Sequence, residues 1–279
     1  MARLVVVSHE FDLFATRTPD GRFSSEYLLF GVIEHLAAMG HDCVVTKGPE
    51  QIDGDAALLH VNGTFVADEY LALATRYPRT INFGTGDISK WKVSRNLLNR
   101  GDEWGGKVVI KANRNCDARG ERIHNRVAAK RGCPLPHPGV KRIGPYRLLD
   151  SIAAVPDEAW IDPRLVIERF VPELDDDGYA LRTWVFMGAR ERCTRTVTPT
   201  WLGKAADTIR YEPVDVPEQL RAERKRLNFD FGKFDFVMSD GEAILLDANR
   251  TPGTARAIEP LVSAGARDLA EGLDALLRA

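Results

Sequence analysis

Cysteines are few and scattered in this chain, at Cys43, Cys116, Cys133 and Cys193, and no C-x-x-C pair occurs. Zinc ribbons place their ligands in such pairs, and disulfide-stapled secreted domains are small and dense in cysteine. The cysteine pattern therefore excludes both classes and favours a reducing, cytoplasmic setting.

Long apolar runs and an excess of positive charge are also missing. No stretch approaches the ~18 apolar residues of a membrane span. The opening MARLVVVSHEFD has one arginine and a short apolar run, which predicts a core strand and not a signal peptide. The chain has 38 basic and 40 acidic side chains, whereas a protein held to nucleic acid by its overall field is usually basic. We therefore expect neither a membrane nor a nucleic acid as a partner.

Two glycine-rich phosphate loops are absent as well. No G-x-G-x-x-G follows the first apolar run, and no G-x-x-x-x-G-K-[ST] occurs anywhere. The dinucleotide-binding fold needs the first motif and the P-loop needs the second, because each brings backbone close to phosphate. Both folds are excluded.

The first part of the chain alternates between strand and helix patterns. Residues 3–8 are apolar and β-branched, and apolar residues then recur with helical spacing from Leu28 to Leu36, before Gly40. Ser24 and Ser25 are candidate N-caps for this helix. Further strand patterns follow near 43–46, 56–61 and 80–83. The alternation predicts a small parallel α/β domain over residues 1–86.

From residue 87 to residue 279 the pattern changes to paired strands. Strand patterns lie at 107–111, 165–171, 181–187, 192–197, 234–238 and 243–247, and a helix pattern starts at Ser263. Asp240-Gly241 between two apolar runs is a strong hairpin signal, and we expect a loop of three residues, 240–242. This part predicts an α+β domain with mostly antiparallel sheets.

The most informative segment is the end of this hairpin, FDFVMSDGEAILLDANRTPG. Asp247 and Asn249 are two apart on a strand and share a face. A three-residue loop places Asp235 opposite Asp247 on that face. Two carboxylates and an amide are hard oxygen ligands that suit Mg²⁺ bridged to nucleotide phosphates. The alternative is ordinary hairpin polarity with a turn before Pro252.

With these residues, the sequence resembles the ATP-grasp superfamily, in particular its small members such as glutathione synthetase and ribosomal-protein glutamate ligases. Asp235 matches the family's first acidic residue. Asp247, Asn249, Pro252 and Gly253 match its acidic-x-Asn-x-x-Pro-Gly signature, in which the first residue is more often Glu. The resemblance covers roughly residues 85–279. It implies a two-subdomain core, with a lid at about 103–170 and a C-terminal subdomain at about 171–279, that binds ATP and Mg²⁺.

The resemblance also implies nucleotide-binding residues. Lys111 looks like the lysine that reaches the α-phosphate and adenine side. Lys90 looks like the earlier phosphate-side lysine, with Lys92 as its competitor. The stretch LVIERFVPE resembles the hinge between the subdomains, where Glu168, Phe170 and Val171 would frame adenine and Glu173 would contact the ribose. A plain buried strand is the alternative for the hinge.

Three arginines are candidate catalytic residues. Arg182 and Arg195 resemble family arginines that clamp a transferring phosphate, and Arg250 follows Asn249 and could face a carboxylate substrate. For Arg195 and Arg250, salt bridges on a sheet face are an equal alternative. The family's glycine-rich flap is replaced here by NRNCDARGE, whose single glycine is Gly120, and Arg114 or Arg119 could supply charge there.

The activity that the resemblance implies is ligation. The enzyme would phosphorylate a small-molecule carboxylate, and an amine (or a thiol) would attack the acyl phosphate with release of ADP and phosphate. Two alternatives stay open, an ATP-grasp kinase that phosphorylates a hydroxyl and a MgATP-binding regulator without turnover. A homodimer also stays open.

Overall fold

The computed structural model describes residues 1–12, 27–203, 205–253 and 259–278, and no side-chain description extends to 205 or 259–263. The candidate N-caps Ser24 and Ser25 lie outside these residues. Within them, three β-sheets follow one another along the chain.

The first sheet is parallel, with strand order β2-β1-β3-β4. Its strands are β1 (Arg3–Ser8), β2 (Asp42–Lys47), β3 (Ala56–Leu59) and β4 (Arg79–Ile81). Helices α1 (Leu28–Ala38) and α2 (Asp68–Leu71) lie between them. Strand β1 is apolar on both faces because it lies inside the sheet and is covered on both sides. The parallel α/β prediction for this part is confirmed.

The second sheet has three antiparallel strands in the order β6-β5-β7. They are β5 (Val108–Ala112), β6 (Arg147–Leu149) and β7 (Leu165–Arg169). The helices of this part of the chain are α3 (Lys90–Val93), α4 (Arg119–Lys130) and α5 (Asp157–Ile161).

The third sheet has six strands, with order β11-β10-β9-β12-β13 and β8 paired to β9. They are β8 (Glu173–Asp175), β9 (Gly178–Met187), β10 (Arg190–Thr198), β11 (Arg210–Pro213), β12 (Phe231–Ser239) and β13 (Glu242–Asn249). All of these pairs are antiparallel, as predicted. Helix α6 (Glu218–Arg226) packs on this sheet, and α7 (Glu259–Arg278) follows it.

The β12–β13 hairpin differs from its prediction in one detail that leaves the acidic pair in place. Its loop is the two residues Asp240 and Gly241, both with positive φ, so the expected three-residue loop is wrong. A β-bulge after Asp235 then shifts the register by one residue and pairs Asp235 with Asp247. The bulge thereby compensates for the shorter loop.

The C-terminal helix joins the first sheet to the third. Helix α7 begins at Glu259, earlier than the expected Ser263, and its buried residues pack with α1 and β1 in one hydrophobic cluster. A Cβ on Gly31 would lie 3.0 Å from the Cβ of Ala266, so the glycine permits close packing at that point. The first sheet therefore shares its core with the C-terminal part of the chain, and the boundary at residue 86 stays a prediction.

Two structural findings complete the fold. Along the chain, a small parallel sheet is followed by two antiparallel sheets, and this order confirms the predicted α/β plus α+β class. Among the helices that the structure describes, none is long and apolar enough to cross a bilayer.

Candidate active site

The three predicted metal ligands lie together at the end of the β12–β13 hairpin. Asp235 and Asp247 are register partners, and Asn249 is two residues further along β13. The Oγ1 of Thr183 on β9 donates a hydrogen bond of 2.9 Å to Asp235 Oδ1. These side chains share one face of the sheet because each pair is either in register or two residues apart.

Two lysines offset the two carboxylates. Lys233 Nζ lies 2.8 Å from Asp235 Oδ2, and Lys90 Nζ lies 3.3 Å from Asp247 Oδ1. Lys90 is only 1% exposed, whereas Lys92 is exposed, so Lys90 is the lysine that reaches the site. Burial lowers the pKa of Lys90, but Asp247, Tyr146 and Glu168 together raise it by more, and the net pKa lies above its ordinary value.

Lys233 was not identified from the sequence. The signal available was its spacing, since Lys233 and Asp235 are two residues apart on an otherwise apolar strand and must share a face. Burial lowers the pKa of Lys233, yet the charge of Asp235 and the hydrogen bond to it raise the pKa above its ordinary value. Lys233 therefore adds a positive charge to the acidic face, the face of the six-stranded sheet that carries Asp235, Asp247 and Asn249.

Lys111 and Glu168 form a second buried pair on the three-stranded sheet. Their Nζ and Oε2 atoms are 2.6 Å apart, and Glu168 is 0% exposed. The ring of Tyr146 lies with its centroid 5.6 Å from Lys111 Nζ. Glu168 and Tyr146 also raise the pKa of Lys90. Both predicted lysines therefore lie near the same two side chains. Glu168 is thus an ion-pair partner, in addition to its predicted place beside adenine.

The predicted hinge connects two sheets. Residues 170–172 run from β7 of the three-stranded sheet to β8 of the six-stranded sheet. Phe170 and Val171 are partly exposed there. The Phe170 ring meets the ring of Trp201 edge-on, with centroids 5.3 Å apart. A partly exposed aromatic pair beside a hinge suits the face of a nucleobase, and Trp201 was missed from the sequence.

Arg182, Arg195 and Glu173 come together, but away from the acidic face. Arg182 pairs in register with Phe236 and with Arg195, whereas its neighbour Thr183 pairs with Asp235. Alternation along the strand places both arginines on the opposite face of the sheet from Asp235 and Asp247.

On that opposite face the three residues form an ion-pair network. Glu173 accepts hydrogen bonds from Arg182, Arg195 and the backbone N–H of Met238. Burial raises the pKa of Glu173, but these donors hold it below its ordinary value. Arg195 also pairs with Asp175 and Glu212. In this structure the three groups are engaged with one another, and the phosphate roles of the arginines and the ribose role of Glu173 stay predictions.

Arg250 is 0% exposed. Among the described residues, its hydrogen bonds go only to backbone carbonyl groups. Its guanidinium donates to the carbonyl oxygens of Val61, Gly63, Thr64 and Thr85. Burial lowers its pKa to about 10, which still leaves it charged at neutral pH. Arg250 ties β13 to the loops after β3 and β4, and the expected contact with a carboxylate substrate stays a prediction.

The flap, residues 113–121, runs from the end of β5 into the first turn of α4 and is held in a strained conformation. Cys116, Asp117 and Ala118 all have positive φ, of 46°, 52° and 56°, and left-handed backbone costs an L-residue about 1–2 kcal/mol. Asp117 accepts hydrogen bonds from the backbone of Ile143 and Gly144. A Cβ on Gly120 would lie 2.1 Å from the carbonyl oxygen of Asn62. The only glycine of the flap is therefore required for its contact with the loop after β3.

A cleft of about 360 Å³ opens beside the acidic face. Its walls come from four parts of the chain, namely Tyr27 before α1, the loop after β3, the flap with the start of α4, and the end of β13 with the residues that follow it. The polar and charged lining residues include Asn62, Asn115, Arg119, Glu121 and Asn249. Because Asn249 belongs to both, the cleft and the predicted metal ligands form one continuous site.

Behind the cleft, three histidines cluster. His9, His124 and His137 have ring nitrogens within 4.8 Å of one another. The rings of His9 and His124 stack face to face, with centroids 3.9 Å apart and planes 9° apart, so their nitrogens are side by side and do not converge on a point. His124 Nδ1 instead lies 3.2 Å from His137 Nε2. The cluster acts as packing between β1 and α4.

Comparison with known proteins identifies the fold. No family model and no curated protein matches the chain. Among solved structures, the ATP-grasp ligase PsnB complexed with a minimal precursor, Mg and ADP is 14% identical, with a TM-score of 0.55 over 99% of this chain and 98% of that one.

Two further structures agree. The RimK domain ATP-grasp protein from Sphaerobacter thermophilus is 17% identical, with a TM-score of 0.51 over 97% of this chain and 99% of its own. D-alanine–D-alanine ligase from Bacillus anthracis complexed with ATP is 13% identical, with a TM-score of 0.50 over 100% and 98%. This chain therefore has an ATP-grasp fold.

Proposed function

We propose that this ATP-grasp chain is an ATP-dependent ligase. It would join a small-molecule carboxylate to an amine, or to a thiol, through an acyl phosphate, with release of ADP and phosphate. The observation that carries the proposal is the acidic face itself, where Asp235, Asp247 and Asn249 gather beside Lys90 and Lys233. Alternating cations and carboxylates of this kind suit a metal-bound polyphosphate.

The donor set fits Mg²⁺. Asp235, Asp247 and Asn249 would hold the ion through oxygen atoms, with water in the remaining positions. When bound, Mg²⁺ offsets charge on the terminal phosphates. In this proposal Lys90 and Lys233 offset further phosphate charge. Lys111 binds the α-phosphate side, and Phe170 and Val171 at the hinge hold adenine.

The reaction class follows from this arrangement. The chain offers cations and metal ligands around the terminal phosphates. Its contribution is therefore to position the carboxylate and to stabilise charge that develops at the γ-phosphorus. The names of the similar structures, which include ligases in complex with ATP or with Mg and ADP, support ligation over other reactions.

The test follows nucleotide products. Purified protein is incubated with MgATP, a mixture of carboxylates and hydroxylamine, which traps acyl phosphates as hydroxamates, and the nucleotides are separated by chromatography. We expect ADP together with hydroxamate. AMP with pyrophosphate as the main products would overturn the acyl-phosphate mechanism. A stable phosphorylated hydroxyl compound formed without hydroxylamine would favour the kinase instead.

A regulator without turnover remains the second candidate, and one observation favours it. The flap has three consecutive left-handed residues, Cys116 to Ala118, and a single glycine, which restricts its closure over phosphates. MgATP binding without release of ADP under the conditions above would support this candidate.

A further inference from the structure

The flap helix carries a buried carboxylate that the proposed ligation does not yet use. Glu121 lies in the first turn of α4 and is 1% exposed. We propose that Glu121, together with Asn115, binds the protonated amine of the second substrate in the 360 Å³ cleft. The inference rests on the proposed function and identifies the chemistry of its acceptor: a primary ammonium.

Glu121 is satisfied on one oxygen only. Its Oε1 accepts a hydrogen bond of 3.0 Å from the backbone N–H of Thr64 and one of 2.8 Å from Arg114. Its Oε2 is buried and has no partner among the residues that the structure describes. Burial alone raises the pKa of Glu121, but the hydrogen bonds it accepts hold the pKa below its ordinary value. The carboxylate is therefore charged, and one buried oxygen lacks a donor.

Asn115 adds a second acceptor in the same wall. Its Oδ1 is buried and likewise without a partner within the described part of the chain. Its backbone N–H donates to Thr64 Oγ1 over 3.0 Å. Thr64 therefore anchors both groups, since its backbone holds Glu121 and its hydroxyl holds Asn115.

Two unpaired buried acceptors describe a site for a group with several donors. An unpaired buried polar group costs about 1–3 kcal/mol, and more when it is charged. An ammonium carries three donors, so one such group can satisfy both oxygens. Because Arg114 already pairs with Oε1 of Glu121, the ammonium would supply the missing hydrogen bond to Oε2. A wall with one carboxylate that is already paired suits a divalent metal less well than the two carboxylates Asp235 and Asp247 do.

The position suits the second half-reaction. The cleft includes Asn249, one of the residues that would hold Mg²⁺. An amine held at Glu121 therefore lies in the same cleft in which the acyl phosphate would form. Its volume of about 360 Å³ is within the range of small-molecule sites. An α-amino group of a free amino acid and the N-terminus of a peptide share this chemistry.

The test compares free and blocked amines. The protein is saturated with Mg²⁺ and a non-hydrolysable ATP analogue, and binding is followed by saturation-transfer NMR. The probes are a mixture of the twenty common amino acids, a mixture of tripeptides with varied first residue, and both mixtures fully N-acetylated. We expect free amines to bind at least tenfold more tightly than acetylated ones. The mixture that binds more tightly shows whether a free amino acid or a peptide supplies the amine.

Isosteric variants assign the site. In Glu121→Gln the amide oxygen can still accept from Thr64, while an NH₂ group replaces Oε2, so affinity for free amines falls at least tenfold. In Asn115→Asp a carboxylate replaces the amide, so affinity rises several-fold. The control Glu103→Gln changes an exposed residue and leaves affinity unchanged. Should Glu121→Gln not fold, the Asn115→Asp variant still decides the question.

The outcomes separate the two proposals. The ammonium site is overturned by any of three results obtained with a protein that MgATP still stabilises. These results are equal binding of free and acetylated probes, no binding of either, and unchanged affinity in both variants. If MgATP itself does not stabilise the wild-type protein, the proposed function fails first.

Discussion

Lys90 Nζ lies 3.3 Å from Oδ1 of Asp247, a residue 157 positions later in the chain. The pair connects the single-turn helix α3 to the last strand of the six-stranded sheet. It places a buried cation directly against a predicted metal ligand, so that the charge of the site is balanced across two distant segments. Removal of either partner leaves the other charge in a poorly hydrated place.

The metal role of Asp247 predicts a specific loss. In Asp247→Asn we expect the stabilisation by MgATP, about 2.7 kcal/mol at a ligand concentration of 100 Kd, to fall to the level seen with ATP and EDTA. Thermal unfolding with and without Mg²⁺ measures the difference. Glu242→Gln, at an exposed position of the same strand, is the control and retains the full Mg²⁺-dependent shift. A normal shift in Asp247→Asn would show that Asp247 is not a ligand.

The buried pair Lys111–Glu168 links ATP binding to stability. Lys111→Met weakens ATP binding and also leaves Glu168, at 0% exposure, without its cation. We expect a loss of about 3–5 kcal/mol in the free energy of unfolding, measured in urea. Adding Glu168→Gln to the same protein restores most of the stability but not the ATP affinity. A single variant as stable as the wild type would mean that the pair is not buried in solution.

Arg250 has a structural role, and its replacement tests this directly. Arg250→Met removes the guanidinium donors from four backbone carbonyls, and hydrogen bonds from a charged group contribute about 1.5–3 kcal/mol each. We expect a loss of at least 3 kcal/mol in urea unfolding, with Arg250→Lys also unstable because an ammonium lacks the guanidinium fork. The exposed Arg76→Met is expected to change stability by less than about 0.5 kcal/mol. A stable Arg250→Met that binds substrate poorly would instead support the predicted substrate role.

His60 predicts how stability depends on pH. Burial lowers its pKa from 6.5 to about 3, so below pH 6.5 the unfolded state takes up a proton that the folded state does not. The folded state therefore loses about 2 kcal/mol relative to the unfolded state at pH 5, and more as pH falls toward 3. His60→Gln removes this contribution to the dependence of the unfolding free energy on pH, whereas His35→Gln on α1 retains it. Identical pH profiles for the wild type and His60→Gln would contradict the assignment.

The strained flap can be relaxed by glycine. Cys116 has a φ of 46°, and Cys116→Gly removes a strain of about 1–2 kcal/mol at an entropic cost of about 0.5–1 kcal/mol. We therefore expect a small gain in stability. Cys133→Gly, also at an exposed cysteine but outside the positive-φ residues, pays the entropic cost alone. The two variants should thus differ by about 1–2 kcal/mol in urea unfolding, and equal losses would show that the flap is not strained.

Local patterns in the sequence were sufficient for the elements and for the acidic pair. Two apolar runs predicted the strands of the hairpin, and Asp240-Gly241 between them predicted its turn. The pairing of Asp235 with Asp247 was predicted correctly from a loop one residue too long, because the bulge restores the register. These features depend on interactions between residues close together in the chain, which a sequence displays directly.

The tertiary structure decided which face of a sheet each side chain occupies and whether that side chain is buried. Whether Arg182 lies on the acidic face depends on the register between β9 and β12, and a shift of one residue reverses the answer. The choice of Lys90 over Lys92, the burial of Arg250 and the unpaired oxygen of Glu121 depend on contacts between segments far apart in sequence. The sequence by itself therefore determined which chemical groups the chain has and which strands hold them. Only the packing of those strands and loops decided which groups meet, because charge pairing and burial are properties of the assembled fold.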